Sequence, residues 1–337
     1  MIRVASLKDM VQVNDTKKDI AGMTGYSVST VSRALSNAVN VRPAVRRKIA
    51  AAARELGYRT SSSRIFLICE SLVPSIYYDH AVAPLAQILR SAGYTLELTD
   101  RHGVELIEDR SVAGVISMMV FDGLERYWGK QYTIPLVCIN TSAAHFDGIC
   151  SVMNDDGDGI RRMTEYLIGL GHRKIGIFGW FLWPGSCSGA NQYYETRLNV
   201  FQQVMRAHGL RDDFIAARSE GDELAALIKP LLDQGVTAFI GNGEDAGLEL
   251  LYALRVLGRR VPEEVSVMSW MSPQFRCFAW PVLSGVMQNF SEIAANAAKL
   301  LLDQIAGVRE VRDVIIPPHW ISGNSAAAPG KKADTVS

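Results

Sequence analysis

Short apolar runs alternate with amphipathic stretches through most of the sequence, from about residue 65 to residue 325. The runs have the length of buried strands, and the stretches between them carry apolar residues at helical spacing. This alternation is typical of parallel sheets built from β-α-β units. Two units of about 100–150 residues fit the length. We therefore predict an α/β body of two doubly wound parallel-sheet lobes, with the first crossover near residues 154–159.

The first part of the chain follows a different pattern, which predicts three short helices. Thr16 is placed to cap the first helix, and Ser27 to cap the second. Gly25 permits a tight turn between them. Pro43 suits the first turn of the third helix, and Gly57 suits its end. A short helix, a turn containing glycine and a second helix make a helix-turn-helix arrangement.

The charge of the chain is divided between these two parts. The whole sequence of 337 residues has 35 basic and 35 acidic residues, but residues 1–64 carry twelve Lys and Arg against four acids, a net charge of +8. The remaining residues carry −8. A strongly basic head favours contact with a polyanion, while the acidic body is not a general phosphate binder.

The second helix of a helix-turn-helix lies in the major groove of DNA, with its N-terminal side chains at the base edges. This places Val28, Ser29 and Thr30 over bases, and an arginine such as Arg33 is able to bridge two acceptors of guanine. The alternative is a small helical cap that packs on the body and carries scattered surface charge. The predicted DNA-contacting residues are Ser27, Val28, Ser29, Thr30, Ser32, Arg33, Asn37, Arg47 and Tyr58.

At these residues the sequence resembles the lactose- and galactose-repressor (LacI/GalR) family of bacterial transcription regulators. The resemblance is most specific in VSTVSRALS and ELGYR, and it continues through the body in IPLVCIN, YLIGLGHRKIGIFG, LRVLGRRVPEEVSVMSW and IIPPHWISGNS. It implies a three-helix head on a periplasmic-binding-protein-like pair of lobes, with a small-molecule effector in the cleft. It also implies a homodimer that binds operator DNA and commonly represses transcription.

The predicted domains follow from the pattern and the resemblance together. One departure from the family concerns the linker, which is shorter than usual and lacks the leucine that wedges into the minor groove. Because such wedges bend DNA, we expect no bending of the usual kind. The domains are an N-terminal extension (1–15), the helix-turn-helix domain (16–59), a short linker (60–64), the effector-binding and dimerisation body (65–325) and a disordered tail (326–337).

In open α/β sheets, ligands bind beyond the carboxyl ends of the strands. The resemblance assigns a ligand-holding role to Arg197, whose guanidinium suits a hydroxyl or a carboxylate, and another to Asn140. Where the family usually has a segment that ends in an aspartate, which accepts sugar hydroxyls, this chain reads Ser269-Trp270-Met271-Ser272.

Aromatic side chains crowd the same predicted loops, and aromatic rings stack on sugar faces or on planar rings. A sugar is therefore the default effector, and a less hydroxylated or more aromatic one stays open. Plain packing is an equal alternative for each single aromatic residue. The predicted effector-contacting residues are Tyr77, Tyr78, Asn140, Trp180, Tyr193, Arg197, Asn242, Glu244 and Trp270.

Two segments resemble other sites without matching them. GNGEDAG at residues 241–247 lacks the spacing and the acidic partner of a dinucleotide loop, so no cofactor is predicted. Residues 154–158 lack the terminal glutamate of a calcium loop, so no metal is predicted and we assign those acids to a helix cap and the lobe crossover. His172 is interpreted as a residue at a helix end, where its charge favours the helix dipole.

Two other function classes remain open on the same body fold. A transporter-type solute-binding protein has the right lobes, but the start of the chain does not resemble a signal peptide and the head is basic. A sugar-processing enzyme is also compatible with this body fold, although no catalytic set is apparent.

The five widely spaced cysteines indicate reduced, structural thiols. We expect a cytoplasmic, non-enzymatic regulator with no membrane partner.

Overall fold

A computed structural model of the chain describes most of the head and nearly all of the body. The described residues are 17–35, 41–56, 63–69, 76–105, 107, 112–118, 124, 128, 134–143, 149–180, 188–219, 221–243, 245–272, 279–306, 308 and 313–330.

The head contains three helices: α1 over residues 17–24, α2 (Val28–Leu35) and α3 (Pro43–Glu55). Their apolar residues meet in one small core around Ile20, Val31 and Ile49, each with no exposed surface. Gly25 has φ of +75°, a conformation that a side chain at Cβ disfavours, so glycine permits the turn between α1 and α2. The predicted helix-turn-helix is confirmed.

The first lobe is built on a six-stranded parallel sheet in the order β11-β5-β4-β3-β1-β2. Its strands are nearly continuous buried apolar runs because both faces of the sheet are covered. Two helices, α4 (Ile76–Ser91) and α9 (Phe290–Ile305), cover one face, and a short 3-10 helix follows β2. The strands are β1 (Arg64–Cys69), β2 (Thr95–Asp100), β3 (Gly114–Met118), β4 (Leu136–Ile139), β5 (Cys150–Asn154) and β11 (Val314–Ile316).

The second lobe has the same architecture, with strand order β12-β10-β9-β8-β6-β7. Its edge strand β12 runs antiparallel to β10, a difference from the all-parallel prediction. The strands are β6 (Ile175–Gly179), β7 (Ile215–Ala217), β8 (Ala238–Gly241), β9 (Ser266–Met271), β10 (Ser284–Met287) and β12 (His319–Ile321). The helices are α5 (Asp156–Gly169), α6 (Ser188–Ala207), α7 (Leu224–Asp233) and α8 (Ala246–Val256).

The described elements pass between the lobes at three places: after β5, after β10 and after β11. Hydrogen bonds tie these crossovers together. The Asp155 amide donates to the carbonyl of Ile316 at 2.8 Å, and Arg162 donates to the carbonyl of Pro318 at 3.2 Å. The first crossover therefore lies where the sequence predicts it, and Asp155 caps α5 through the Asp158 amide at 2.8 Å.

The start and end of the body differ from the predicted boundaries. Arg64, which the sequence assigns to the linker, is the first residue of β1; residues 60–62 lie outside the described part. Residues 326–330 are not a disordered tail. The amide of Ala327 donates to Ser266 Oγ at 3.0 Å, and the buried Ser325 bonds to Val267 and Ser284. Small side chains let this segment lie close against β9 and β10, which composition alone did not indicate.

His172 anchors that same C-terminal segment. Its Nδ1 lies 2.8 Å from Thr237 Oγ1, and its Nε2 lies 2.9 Å from the carbonyl of Ala327. A carbonyl only accepts, so Nε2 carries the proton and Nδ1 accepts from the threonine. Burial lowers the pKa of His172, and the ring is neutral. His172 does follow the end of α5, and its amide donates to the carbonyl of Leu167, but the expected interaction of its charge with the helix dipole is wrong.

The described cysteines are free thiols inside the first sheet: Cys69, Cys138 and Cys150. Burial raises the pKa of the Cys69 thiol to about 11 and raises that of Cys138 further, so neither is present as a reactive thiolate at neutral pH.

Across the residues that the structure describes, we find no helix of the length and apolar character that a membrane crossing requires.

Candidate functional site

The N-terminal turn of α2 is organised by Ser27. Its Oγ accepts a hydrogen bond from the amide of Thr30 at 3.1 Å and lies within 2.9 Å of the hydroxyls of Ser29 and Thr30. Arg33 folds back on the same turn, with Nε donating to the carbonyl of Ser29 at 3.2 Å. The first turn of α2 thus presents three hydroxyl groups and one guanidinium group.

The predicted DNA-contacting side chains of α2 lie on its outer surface. Val28, Ser29 and Arg33 are exposed, and Val28 keeps 42% of its surface although it is apolar. Ser32 is half-buried beside Lys17, whose Nζ donates to it at 3.5 Å. Val31 and Ala34 of the same helix face the core instead. Asn37, Tyr58 and the side chain of Arg47 lie outside the described part of the chain.

The second candidate site is the edge where the strands of the second lobe end. Asn242 follows β8 and is fully buried, and its Nδ2 donates to the carbonyl of Trp180 at 3.5 Å. Trp180 follows β6, and its ring lies 5.0 Å from the guanidinium of Arg218. Arg218 follows β7 and forms an ion pair with Glu249 of α8. These strand ends lie at one edge because the strands are parallel.

Arg197 of α6 occupies the centre of this edge. Its side chain is 2% exposed, and its Nε and Nη2 donate to Oδ1 of Asp156 at 2.9 and 2.7 Å. The guanidinium lies 3.9 Å from the ring centroid of Trp270 and 5.0 Å from that of Tyr193. Trp270 is fully buried beneath it. The structure thus brings together Arg197, Trp270 and Tyr193, three of the residues predicted to contact the effector.

Asn140 lies at the lobe crossovers. Its Nδ2 donates to Gln288 Oε1, and its Oδ1 accepts from the Asn154 amide, each at 2.8 Å. Gln288 and Asn154 belong to the second and first crossovers. Asn140 has φ of +50°, a left-handed conformation that asparagine tolerates better than most residues. Its amide therefore connects hinge segments, in addition to any role that the resemblance assigns to it.

One further contact joins the lobes across the cleft. Ser272, which follows β9, is fully buried and lies 3.4 Å from Nε2 of His80 on α4. The ring of His80 also packs against Phe290, with centroids 5.5 Å apart. The serine therefore makes a lobe-to-lobe contact within the segment 269–272, where the resemblance led us to expect a carboxylate.

Several predicted effector contacts lie outside the described part. Glu244 is one, and for Tyr77 and Tyr78 only the backbone, in the first turn of α4, is described.

No group of three or more His, Cys, Asp or Glu residues suited to a metal ion occurs within the described ranges.

Sequence reasoning missed Asp156 and Gly159 as parts of this site. Asp156 was assigned to a cap region, but its carboxylate is the partner of Arg197. Gly159 is required by Trp270, because a Cβ atom there would lie 2.6 Å from the indole ring. The run of acids after β5 was the available signal for Asp156, whereas nothing local in the sequence indicated the role of Gly159.

Comparison with known families covers both parts of this architecture. Residues 16–61 match the model of bacterial regulatory proteins of the lacI family. Residues 164–326 match the periplasmic binding protein-like domain. The chain belongs to the LacI family.

Relatives of this LacI-family protein are transcriptional regulators, and they match this chain over nearly their whole length. The regulator GanR of Bacillus subtilis is 28% identical over 87% of this chain and 94% of its own. The regulator reg1 of Streptomyces lividans is 26% identical over 93% of this chain and 97% of its own. The chain is accordingly a LacI-family transcriptional regulator.

Solved structures of the LacI family have the same fold. A transcriptional regulator CelR in complex with cellobiose is 25% identical, with a TM-score of 0.67 over 92% of this chain and 99% of its own. A lac repressor dimer bound to operator and the anti-inducer ONPF is 21% identical, with a TM-score of 0.66 over 92% of this chain and 98% of its own.

Proposed function

We propose that this LacI-family regulator binds operator DNA with the α2 helices of two heads, and that a small molecule bound between its lobes controls operator affinity. A sugar is the default effector, in line with the cellobiose complex of the CelR relative, and repression is the default outcome. The protein acts in the cytoplasm, where bacterial DNA lies, and has no catalytic activity.

The observation that carries this proposal is the exposed face of α2. Val28, Ser29 and Arg33 stand outward at the start of a capped helix while the opposite side packs into the head core. An exposed valine beside an arginine suits the floor of the major groove, where apolar contact with thymine methyls and bidentate contact with guanine are available. A structural cap would instead bury Val28 against the body.

DNA binding is tested with a fragment from upstream of the gene itself and of its neighbours. We expect Arg33→Ala to weaken binding by about 10-fold or more, because one bidentate arginine supplies roughly 1–3 kcal/mol of discrimination. Arg173→Ala is the matched control, since it removes the same charge from an exposed position of the body. Fluorescence anisotropy at increasing salt measures both, and affinity should fall steeply as counterions are displaced.

Absence of binding by the intact protein to all such fragments at low salt would contradict the proposal. Equal loss of affinity in the two variants would show that binding depends on overall charge and not on α2.

A second copy of the chain is the proposed partner of an apolar face on the second lobe. Tyr252 and Val256, one helical turn apart on α8, are 62% and 55% exposed, and Trp280 is 83% exposed. Large exposed apolar side chains of this kind mark protein interfaces. A homodimer would cover them and would hold two heads at the spacing of two half-sites.

A further inference from the structure

The chain enters the body at the start of β1, and backbone hydrogen bonds hold that point on both sides. The carbonyl of Ser63 accepts from the amide of Thr95 at 2.7 Å, and the carbonyl of Arg64 accepts from the amide of Ala113 at 2.8 Å. Thr95 begins β2, and Ala113 directly precedes β3. The chain is therefore attached to the first sheet from Ser63 onward.

A side-chain contact adds to this attachment. Nε and Nη2 of Arg64 donate to the two carboxylate oxygens of Glu97 on the edge strand β2, a bidentate pair. Alternate residues of a strand share one face, and the Arg64 guanidinium lies 5.5 Å from the ring centroid of Phe66. Phe66 is opposite Glu97 in the register of the two strands. Arg64 thus reaches along the sheet and ties the start of β1 to its edge.

This ion pair is placed to act on position more than on stability. Its side chains are 32% and 30% exposed, and ion pairs of that exposure contribute little to the free energy of unfolding. The end of an element, however, opens locally at small cost. A weak contact at that place is therefore sufficient to change how often Ser63 and Arg64 are attached.

The connection from the head to this point is short. Leu56 is the last described residue of the head, and six residues separate it from Ser63. Even a fully extended chain of that length spans at most about 25 Å. Each residue released from the start of β1 would add about 3.3 Å to the reach of a head, which is close to the rise of about 3.4 Å for one base pair of DNA.

We propose that the Arg64–Glu97 pair, with the backbone bonds beside it, determines which half-site spacing the regulator accepts. Both are positioning residues, because they act through the point at which each head is tethered. Two short, attached tethers restrict two heads to one spacing. Release of residues 63 and 64 would lengthen a tether by about 7 Å, the rise of two base pairs. This inference rests on the proposed function, since it takes two heads to bind one operator.

The probe is a fragment from upstream of the gene that the protein binds, with one or two base pairs inserted at the centre of the protected region. Fluorescence anisotropy measures each dissociation constant. For one inserted base pair we expect a rise of at least about 10-fold in the wild type and of at most about 3-fold in Glu97→Gln, whose released strand start supplies the missing reach. Asp233→Asn is the matched control: it also replaces a carboxylate by an amide in an exposed ion pair of the body, with Lys229. It should discriminate between spacings as the wild type does.

Hydrogen exchange measures the attachment itself, without DNA. The amides of Thr95 and Ala113 should exchange faster in Glu97→Gln than in the wild type and in Asp233→Asn. Combining Arg64→Glu with Glu97→Arg restores an ion pair at the same place. Exchange and spacing discrimination should therefore both return towards the wild type in that double variant.

The outcomes separate this inference from the proposed function. Parallel spacing curves for the wild type, Glu97→Gln and Asp233→Asn would overturn the inference and leave the regulator function intact. Equal binding of all spacings by the wild type would do the same, as would a charge-reversed variant that restores neither exchange nor discrimination. Absence of binding by the wild type to every upstream fragment would instead refute the proposed function, and this inference with it.

Discussion

Arg197 and His172 are polar side chains inside the second lobe, and their partners differ in kind. The guanidinium of Arg197 is paired with the carboxylate of Asp156 at 2.7 Å, and two aromatic rings lie against it. His172 has a lowered pKa because burial disfavours its charged form, and the hydrogen bond to the Ala327 carbonyl offsets this only in part, since no carboxylate pairs with the ring. Burial of a polar residue therefore does not reveal its charge without knowledge of its neighbours.

The neutral state of His172 predicts a pH dependence of stability. Its pKa in the folded state lies below the ordinary 6.5, so the unfolded chain binds this proton more readily. The free energy of unfolding should therefore decrease as the pH falls below about 6.5 towards the folded-state pKa, by at most about 1.4 kcal/mol per pH unit for one proton. Urea unfolding from pH 7.5 to 5 should show a shallower decrease for His172→Gln than for the wild type.

His208→Gln provides the comparison for this measurement, because His208 is exposed at the end of α6. It should keep the slope of the wild type. If His172→Gln and the wild type have parallel profiles, a different group controls the acid response.

At the scale of elements, the crossovers act together because side chains join them. Asn140 connects the first and second crossovers, and the bond from Asp155 to Ile316 connects the first and third. We expect segments linked in this way to move as one hinge and not as three independent linkers. The hinge is also continuous with the cleft, since Asn154 bonds both to Asn140 and to Asp156.

Removal of the Asn140 amide should loosen this hinge. We expect Asn140→Gly to lower the free energy of unfolding by about 1–3 kcal/mol, because Gln288 and the Asn154 amide lose a buried partner. Glycine accommodates the left-handed backbone, so strain does not contribute. Hydrogen exchange should accelerate in peptides that cover residues 150–155 and 286–289.

Asn140→Asp is the matched substitution for the hinge. Aspartate still accepts from the Asn154 amide, and Gln288 is able to rotate its amide and donate. It should therefore be closer to the wild type than Asn140→Gly in both measurements. Equal protection of the hinge amides in all three proteins would show that Asn140 does not hold the crossovers.

For the whole molecule, the two most exposed large apolar side chains that the structure describes lie in the second lobe, and we take them to favour self-association through it. Of the large exposed apolar side chains of the body, Trp280 is the most exposed, and Tyr252 follows it. Val308, at the end of α9 in the first lobe, is 47% exposed. Val308 therefore offers an exposed apolar position on an element other than α8.

Substitution of the apolar face should dissociate the proposed dimer. We expect Trp280→Asp to raise the dimer dissociation constant by at least about 10-fold, because central aromatic residues contribute about 2 kcal/mol or more to interfaces. Analytical ultracentrifugation over a range of concentrations measures the change. Val308→Asp introduces the same charge at a different exposed apolar position and should leave the dimer intact. Two identical dissociation curves would place the interface elsewhere.

Much of the architecture follows from local patterns in the sequence. Buried strands and amphipathic helices repeat at periods of two and 3.6 residues, so the two lobes were predictable, as were the three helices of the head and the capping serine of α2. The basic charge of the head also follows from the sequence, because it depends only on the number of Lys, Arg, Asp and Glu residues there. The position of Arg197 at the cleft came from the resemblance and from the rule that strand ends carry ligands.

The tertiary structure alone decided which polar groups meet. Asp156 and Arg197 are 41 residues apart, Asn140 and Gln288 are 148 apart, and His172 reaches Ala327 over 155. No periodicity connects positions so distant, because hydrogen bonding depends on distances that folding alone establishes. The sequence by itself determined the capped α2 and the alternating lobes through local backbone preference and side-chain spacing. The Arg197–Asp156 ion pair, the hydrogen bonds of Asn140 and the ordered residues 326–330 depend on partners that only the folded chain brings within about 3 Å.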